Sequence, residues 1–423
     1  MVDSGNVAWM LMASALVLFM TPGLAFFYGG LVRGKNVVNM IMYSFVAIGV
    51  VSVVWVLWGF SLAFGSGNAF IGNFDYIGFK DVDPSLDPAE SNSMLFAIFQ
   101  MMFAIITPAL ITGAIAERFK FSTYLIFLVL WVTFVYAPIA HWVWAENGWI
   151  FNMGAADFAG GTVVHINAGM AAIAAAWLVG KRRGVDRGVE PHNVPYVILG
   201  AAILWFGWFG FNAGSGLAAD GIAVNAFLVT NVAAATAAMT WVILSYVQNG
   251  KASAVGAATG AVAGLVAITP ASGLVGPMGS IAIGFGAGAL TYVAVLYRHK
   301  FGFDDALEVF AVHGIGGIWG AIATAIFAMQ VFGDGSPVSL GLDPNVVGPL
   351  QDISVVDGKF ELLWANVRAV GATMAYSFLA TLLILKVLDL VPGLGLRADP
   401  EEEDAGLDIS HHGERAYVSD GAD

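Results

Sequence analysis

Two histidines, His165 and His313, sit in stretches that are otherwise almost free of polar side chains. A titratable ring buried in hydrocarbon is costly, so an intramembrane histidine is a functional candidate by default. A neutral imidazole both donates and accepts, which suits it to handing along a small hydrogen-bonding molecule or relaying a proton. The two share a context: DFAGGTVVHINAG (Asp157 to Gly169) and DDALEVFAVHGIGG (Asp304 to Gly317) both read Asp, seven residues, His. Asp157 and Asp305 begin their helices, where a carboxylate caps free backbone amides and opposes the helix dipole. For Asp157 the alternative is an anionic group at an outer mouth that favours a cation or relays its proton. For the histidines the plainer alternative is packing glue, each ring bonding a neighbouring helix. A metal centre is the competing chemistry, but zinc normally takes three or four protein ligands. No further histidine or carboxylate falls at that depth, and neither metal nor cofactor is expected.

Aromatic residues recur near one end of several apolar runs: Phe103 in FQMMFA, Trp142 and Trp144 in HWVW, and Trp205, Trp208, Phe209 and Phe211 in WFGWFGFNAGS. An interfacial aromatic belt accounts for any one of them. Ser215 beside Phe211 adds a hydroxyl, and a desolvated cation over aromatic faces gains ~1–2 kcal/mol. The group therefore suits a small monovalent ion of the ammonium type. Gly161 and Gly169 flank His165 at four-residue spacing, and Gly314, Gly316 and Gly317 follow His313. Small residues let helices approach closely and leave a narrow lumen.

The elements that must position these residues are membrane helices. Of 423 residues 58% are apolar and only 11% charged, and the charges cluster between stretches of ~20 residues, the length that crosses ~30 Å of hydrocarbon. Lipid is the solvent such a chain needs. Eleven spans are expected, at about residues 7–32, 38–64, 92–116, 121–140, 158–180, 195–216, 225–247, 253–270, 277–297, 305–330 and 361–389. Before the first there is no basic n-region of a secretory signal, so that run is expected to be retained as a span. Arg33, Lys35, Arg118, Lys120, Lys181, Arg182, Arg183, Arg187, Lys251, Arg298 and Lys300 all follow odd-numbered spans, against Lys80 and Lys359 in the other loops. Cytoplasmic loops hold the basic excess, which puts the N-terminus outside and the C-terminus in the cytoplasm. Arg368, inside the last span, is the exception; it can snorkel to the outer interface or face a partner subunit. The absence of cysteine excludes disulfides and thiolate chemistry, and the net charge of −13 lies in an outer loop and the tail, against nucleic-acid binding.

Five spans separate the two Asp-to-His segments, so the copies run in opposite directions. This is the arrangement of inverted-repeat transporters, whose sites lie at the midplane. The first repeat covers about 7–180, the second about 195–330, and the eleventh span stands outside them. Eight residues at 1.5 Å rise carry each histidine ~12 Å from its aspartate, one from each face, to near the middle of the bilayer.

These residues, with FFYGGLVRGKN (Phe26 to Asn36), GAIAERFKF (Gly113 to Phe121) and ITPASGLVGP (Ile268 to Pro277), resemble the Amt/Mep/Rh ammonium transporter family over nearly the whole chain. The resemblance implies an all-α integral membrane fold of eleven helices, a homotrimer with one pore per subunit, and ammonium or ammonia transport across the cell membrane. It further implies that Phe103, Trp144 and Ser215, supported by Asp157, form an outer recruitment site. Phe103 and Phe211 would be a stacked gate, His165 and His313 the pore lining, Trp208 part of the path, and Phe27 with Tyr28 the approach to the inner exit. The stretch AENGWIFNMGAA between Trp144 and Asp157 departs from the family pattern, which leaves the shape of the outer vestibule open.

A transmembrane domain over 1–390 and a cytoplasmic tail over 391–423 complete the organisation. Read alone, the acidic segment Glu401 to Tyr417 is disordered by composition; the resemblance implies instead a folded regulatory tail on the inner face, where a PII-type nitrogen regulator docks, with His411 at a position where the family often has another polar residue. Two rivals remain: an ammonium sensor signalling through that tail, though the tail is only about thirty residues, and a membrane metalloenzyme, which lacks ligands.

Overall fold

A computed structural model describes residues 3–84, 87, 89–328, 355 and 360–417. Lys359, the last residues of the second repeat and the end of the tail lie outside the described residues. Among the described residues, eleven helices are long and apolar enough to cross a membrane. They are α1 (Ser4–Leu31), α2 (Gly34–Phe64), α3 (Met94–Ile115), α4 (Phe121–Asn152), α5 (Gly161–Val179), α6 (Val194–Gly214), α7 (Gly221–Asn249), α8 (Ala254–Ala271), α9 (Pro277–Tyr297), α10 (Phe310–Phe327) and α11 (Glu361–Leu390). Side-chain caps set several of their starts, where the first amides have no intrahelical acceptor. Ser93 Oγ accepts from the Phe96 amide at 3.2 Å, Asp220 from Ala223 at 3.0 Å and Ser253 from Gly256 at 2.9 Å.

Two differences from the sequence expectation have local causes. The helix of the fourth span continues past residue 140 to Trp144, and after a break at Ala145 a short helical turn, Trp149–Asn152, completes the span; His141 is no boundary, because its ring is buried, with nitrogens 2.9 and 2.6 Å from the carbonyl oxygens of Ala63 and Asn68. The tenth span begins at Phe310 rather than at 305, since Asp304 to Glu308 form a turn from which the Asp305 carboxylate caps the helix from outside it. Glu308 in that turn has φ +64°, a backbone conformation uncommon outside glycine.

The helices pack as related halves. α1 lies along α6; α3 packs on α5 as α8 packs on α10, and α5 and α10 cross each other at the centre. α11 is added outside this arrangement, against α4, α5 and α10. The crossing is close because of one glycine pair: a Cβ on Gly169 would lie 2.5 Å from both the Cα and the N of Gly314. Arg368 is exposed on α11 and donates to the Trp364 carbonyl at 3.2 Å.

The tail is folded, not disordered, as far as Tyr417. A short helix, α12 (Pro400–Ala405), starts with a capping box of Asp399 and Glu402. The chain then inserts Leu407 and Asp408 beneath the start of α2, where Asn36 accepts from the Leu407 amide at 2.9 Å and Asp408 accepts from the Asn39 amide at 2.8 Å. Lys35 donates to the carbonyls of Glu403 and Asp404 at 2.8 and 2.7 Å, Arg183 pairs with Asp404, and Arg397 with the buried Glu403.

Candidate functional site

The histidines sit on matching irregularities. Residues Gly161–Ile166 of α5 and Phe310–Ile315 of α10 are π-helical, and wide turns of this kind recur at functional sites. Both rings are buried among apolar side chains, yet they meet. His313 Nδ1 and His165 Nδ1 are 3.2 Å apart, with ring centroids at 5.3 Å and planes at 26°. Two neutral imidazoles at this spacing share one hydrogen bond: one Nδ1–H donates to the other's lone pair, and the accepting ring must carry its proton on Nε2. His165 Nε2 has no protein partner.

The pair borders a narrow void of about 10 Å³, walled mainly by Met20, Leu24, Phe27, Ile106, Leu110, Val164, Trp208, Phe211 and Val262. Trp208 stacks on His165 at 5.4 Å, and its indole N–H donates to Thr269 Oγ1 at 2.8 Å, which fixes the ring that fixes the imidazole. Thr269 was not legible as a site residue; nothing in ITPASG distinguishes it from a helix-end threonine.

At the end of the bundle away from the tail, Phe211 borders this void and packs against Phe103, their ring centroids 4.3 Å apart. Above them a cavity of about 170 Å³ includes Phe103, Trp144, Asp157 and Ser215 in its lining. Trp144 meets Phe103 edge-on at 5.8 Å, and Ser215 Oγ donates to the Phe211 carbonyl at 2.8 Å, leaving its lone pairs as acceptors. Gln100 also lines the cavity, and its Oε1 is buried without a partner. The divergent stretch supplies Glu146 and Phe151 to the rim.

Asp157 belongs to this lining, but its carboxylate is occupied. It accepts from the amides of Gly160, Gly161 and Thr162 at 2.8, 2.6 and 2.7 Å and from the Thr162 hydroxyl. Trp144 Nε1 donates to the Asp157 carbonyl at 3.0 Å. The geometry is that of a cap that ties the start of α5 to the aromatic mouth.

Toward the tail the void gives way at Phe27 to a cavity of about 430 Å³ lined by Phe27, Tyr28, Asp304, Glu308 and His313, among others. The Tyr28 hydroxyl donates to the Leu110 carbonyl at 3.0 Å, which makes it a strut between α1 and α3. Behind this cavity Arg118 is fully buried and donates to the carbonyls of Ala114, Ala116, Gly180 and Asp304; burial pushes its guanidinium down to about 10. Arg182 grips Asp304 through two nitrogens at 2.8 and 2.9 Å. Asp305 accepts from the Phe310 amide at 2.7 Å, the second-repeat counterpart of the Asp157 cap, and burial raises its carboxyl to about 6. Among the described residues, no third His, Asp or Glu joins the histidines in a metal-binding group.

Three spaces thus follow one another: a cavity walled partly by aromatic rings, a constriction with two touching imidazoles, and a wider cavity edged by Asp304 and Glu308. Comparison with known proteins sets the chain among ammonium transporters. The family model described as Ammonium Transporter Family matches residues 8–417. An ammonium transporter of Bacillus subtilis is 46% identical over 98% of both chains. The ammonium transporter Amt1 of Archaeoglobus fulgidus is 44% identical over 98% of this chain and 100% of its own. The crystal structure of Saccharomyces cerevisiae Mep2 superposes with a TM-score of 0.86 at 36% identity, covering 95% of this chain and 90% of that one.

Proposed function

The chain belongs to the ammonium transporter family, and on that premise we propose that it recruits ammonium at the aromatic mouth, strips its proton, and conducts ammonia past His165 and His313. The observation that carries this reading is the histidine pair itself, two hydrogen-bonding rings 3.2 Å apart in an otherwise apolar constriction. Desolvation supplies the reason: an unpaired charge in such a space is far costlier than a neutral molecule that can both donate and accept.

Phe103, Trp144 and Ser215 offer the cation two aromatic surfaces and a hydroxyl acceptor, and Asp157 holds the mouth in shape through its cap. Phe103 and Phe211, in contact, act as the gate that admits the molecule without water. Trp208 orients His165, Phe27 marks the inner end of the constriction, and Tyr28 braces its wall. Reprotonation follows in the polar vestibule.

The tail end, which carries Arg33, Arg118, Arg182 and Arg183, is the cytoplasmic face of the cell membrane, with the N-terminus outside. The functional unit is a homotrimer, each subunit with its own path, and the folded tail is the surface on which a PII-type regulator acts.

The function is tested by an ammonium jump across proteoliposomes carrying the purified protein. Rapid internal alkalinisation above that of protein-free liposomes is expected, since ammonia that enters takes up a proton. Equal rates with and without protein would refute the reading.

A further inference from the structure

One matched position of the two repeats combines an unusual backbone with different side chains. Counting back five residues from each histidine gives Gly160 in the first copy and Glu308 in the second, and both have positive φ, +116° and +64°. The repeat therefore requires a left-handed residue between its capping aspartate and its π-turn, a conformation glycine adopts most cheaply. In the first copy glycine is used, and a Cβ there would crowd Val164 Cγ2 at 2.8 Å and lie 3.5 Å from Trp144 Cη2, beside the aromatic mouth. In the second copy the strained position is occupied by a glutamate, whose side chain lines the vestibule that His313 also lines. Backbone strain retained at a non-glycine residue marks a side chain put to use.

We propose that the Glu308 carboxyl is the inner cation site of the path, the counterpart of the aromatic mouth, where ammonia arriving from His313 is protonated and the resulting ammonium is held before release. This rests on the conduction of ammonia proposed above. The protonated carboxyl gives its proton to ammonia, leaving a carboxylate and an ammonium ion in contact; the ammonium leaves for the inner solution, and the carboxylate regains a proton from water there. Arg298, at the end of α9, holds Oε1 at 2.8 Å from one side. The carboxyl also meets the charges of Asp304, Asp305 and Arg182, and Lys181 and Asp186 line the adjoining pocket. Burial, the largest influence, outweighs the arginines and raises Glu308 to about 8, so it exchanges protons near neutral pH.

The test compares membrane vesicles of the two opposite orientations, with initial internal pH change measured against the ammonium concentration applied to one face. Glu308→Gln is expected to raise the half-saturating concentration at the tail face by about tenfold relative to that at the other face, the weight of a charged over a neutral acceptor. Glu308→Asp is expected to recover most of the loss. In the unaltered protein, tail-face affinity strengthens as pH rises through about 8, as the carboxyl ionises, and Glu308→Gln removes that step. An unchanged ratio between faces, or an equal loss at both with a lowered melting midpoint, would overturn the assignment. Failure of the unaltered protein to move ammonium from either face would instead refute the conduction reading on which it rests.

Discussion

Replacing Gly169 by alanine tests whether the spacing of α5 and α10 sets the chemistry. The added methyl would sit 2.5 Å from Gly314 Cα and N, and both are backbone atoms that cannot rotate away. Ordinary contact begins near 3.4 Å, so the helices must separate by 3.4 − 2.5, about 0.9 Å. Overpacking of this kind costs ~1–3 kcal/mol, which for a chain of this size lowers the melting midpoint by roughly 1–3 °C. The same displacement carries the 3.2 Å contact between His165 and His313 beyond hydrogen-bond reach. Flux is therefore expected to fall by about tenfold or more, because groups that act together tolerate little misplacement. Ammonium-driven alkalinisation and thermal melting of the detergent-solubilised protein measure both effects, with Gly371→Ala as the comparison, since nothing lies within 4 Å of a Cβ there. If Gly169→Ala melted and transported like Gly371→Ala, the claim that glycine contact sets the histidine spacing would be wrong.

Other perturbations address the vestibule and the tail. Burial pushes the Asp304 carboxyl up, but the hydrogen bonds and charge of Arg182, with Arg118 behind, outweigh it and hold the group below the ordinary carboxylate range. A depressed folded value contributes stability that is present above the unfolded value of ~3.9 and lost as pH falls through the folded one. Melting midpoints should thus decline below about pH 4, and Asp304→Asn should flatten that decline while destabilising the protein at neutral pH by ~3–5 kcal/mol, the cost of leaving Arg182 buried and unpaired. In the tail, Gly406 has φ +102° and a Cβ there would lie 2.6 Å from the Lys35 carbonyl oxygen. Gly406→Ala should therefore detach the tail, detected as proteolysis after α11 under conditions where the unaltered chain is protected.

Much of this was legible in the sequence because lipid imposes a coarse rule: each span must be apolar, about twenty residues long and helical. Hence all eleven spans appear near their expected places. The exceptions are informative. His141 reads as a boundary by polarity, yet its ring is buried and bonded by the carbonyls of Ala63 and Asn68 from the end of α2 and the loop after it; the bland role weighed for His165 and His313 is the one this third histidine fills. The position of Asp157 and Asp305 at helix starts offered capping as one of two readings, and the amides they accept from are those of such caps, whereas the contact between the two rings depends on how two helices cross and on two π-turns, neither of which leaves a periodic signal. The acidic composition of the tail hid a fold that depends on partners distant in sequence, Lys35, Asn36, Asn39 and Arg183. Glu308 was overlooked because its significance lies in a backbone angle, which sequence does not display.

The central claim is that the histidine pair is the conducting element, and substitution of each ring tests it most directly. Proteoliposomes containing the unaltered protein, His165→Ala or His313→Ala, matched for amount and melting behaviour, should be given the same ammonium jump while current and internal pH are recorded. Either substitution is expected to change the rate of alkalinisation, or its ratio to the current, by tenfold or so, since the remaining imidazole loses its partner. Unchanged flux and unchanged selectivity in both variants would contradict the account.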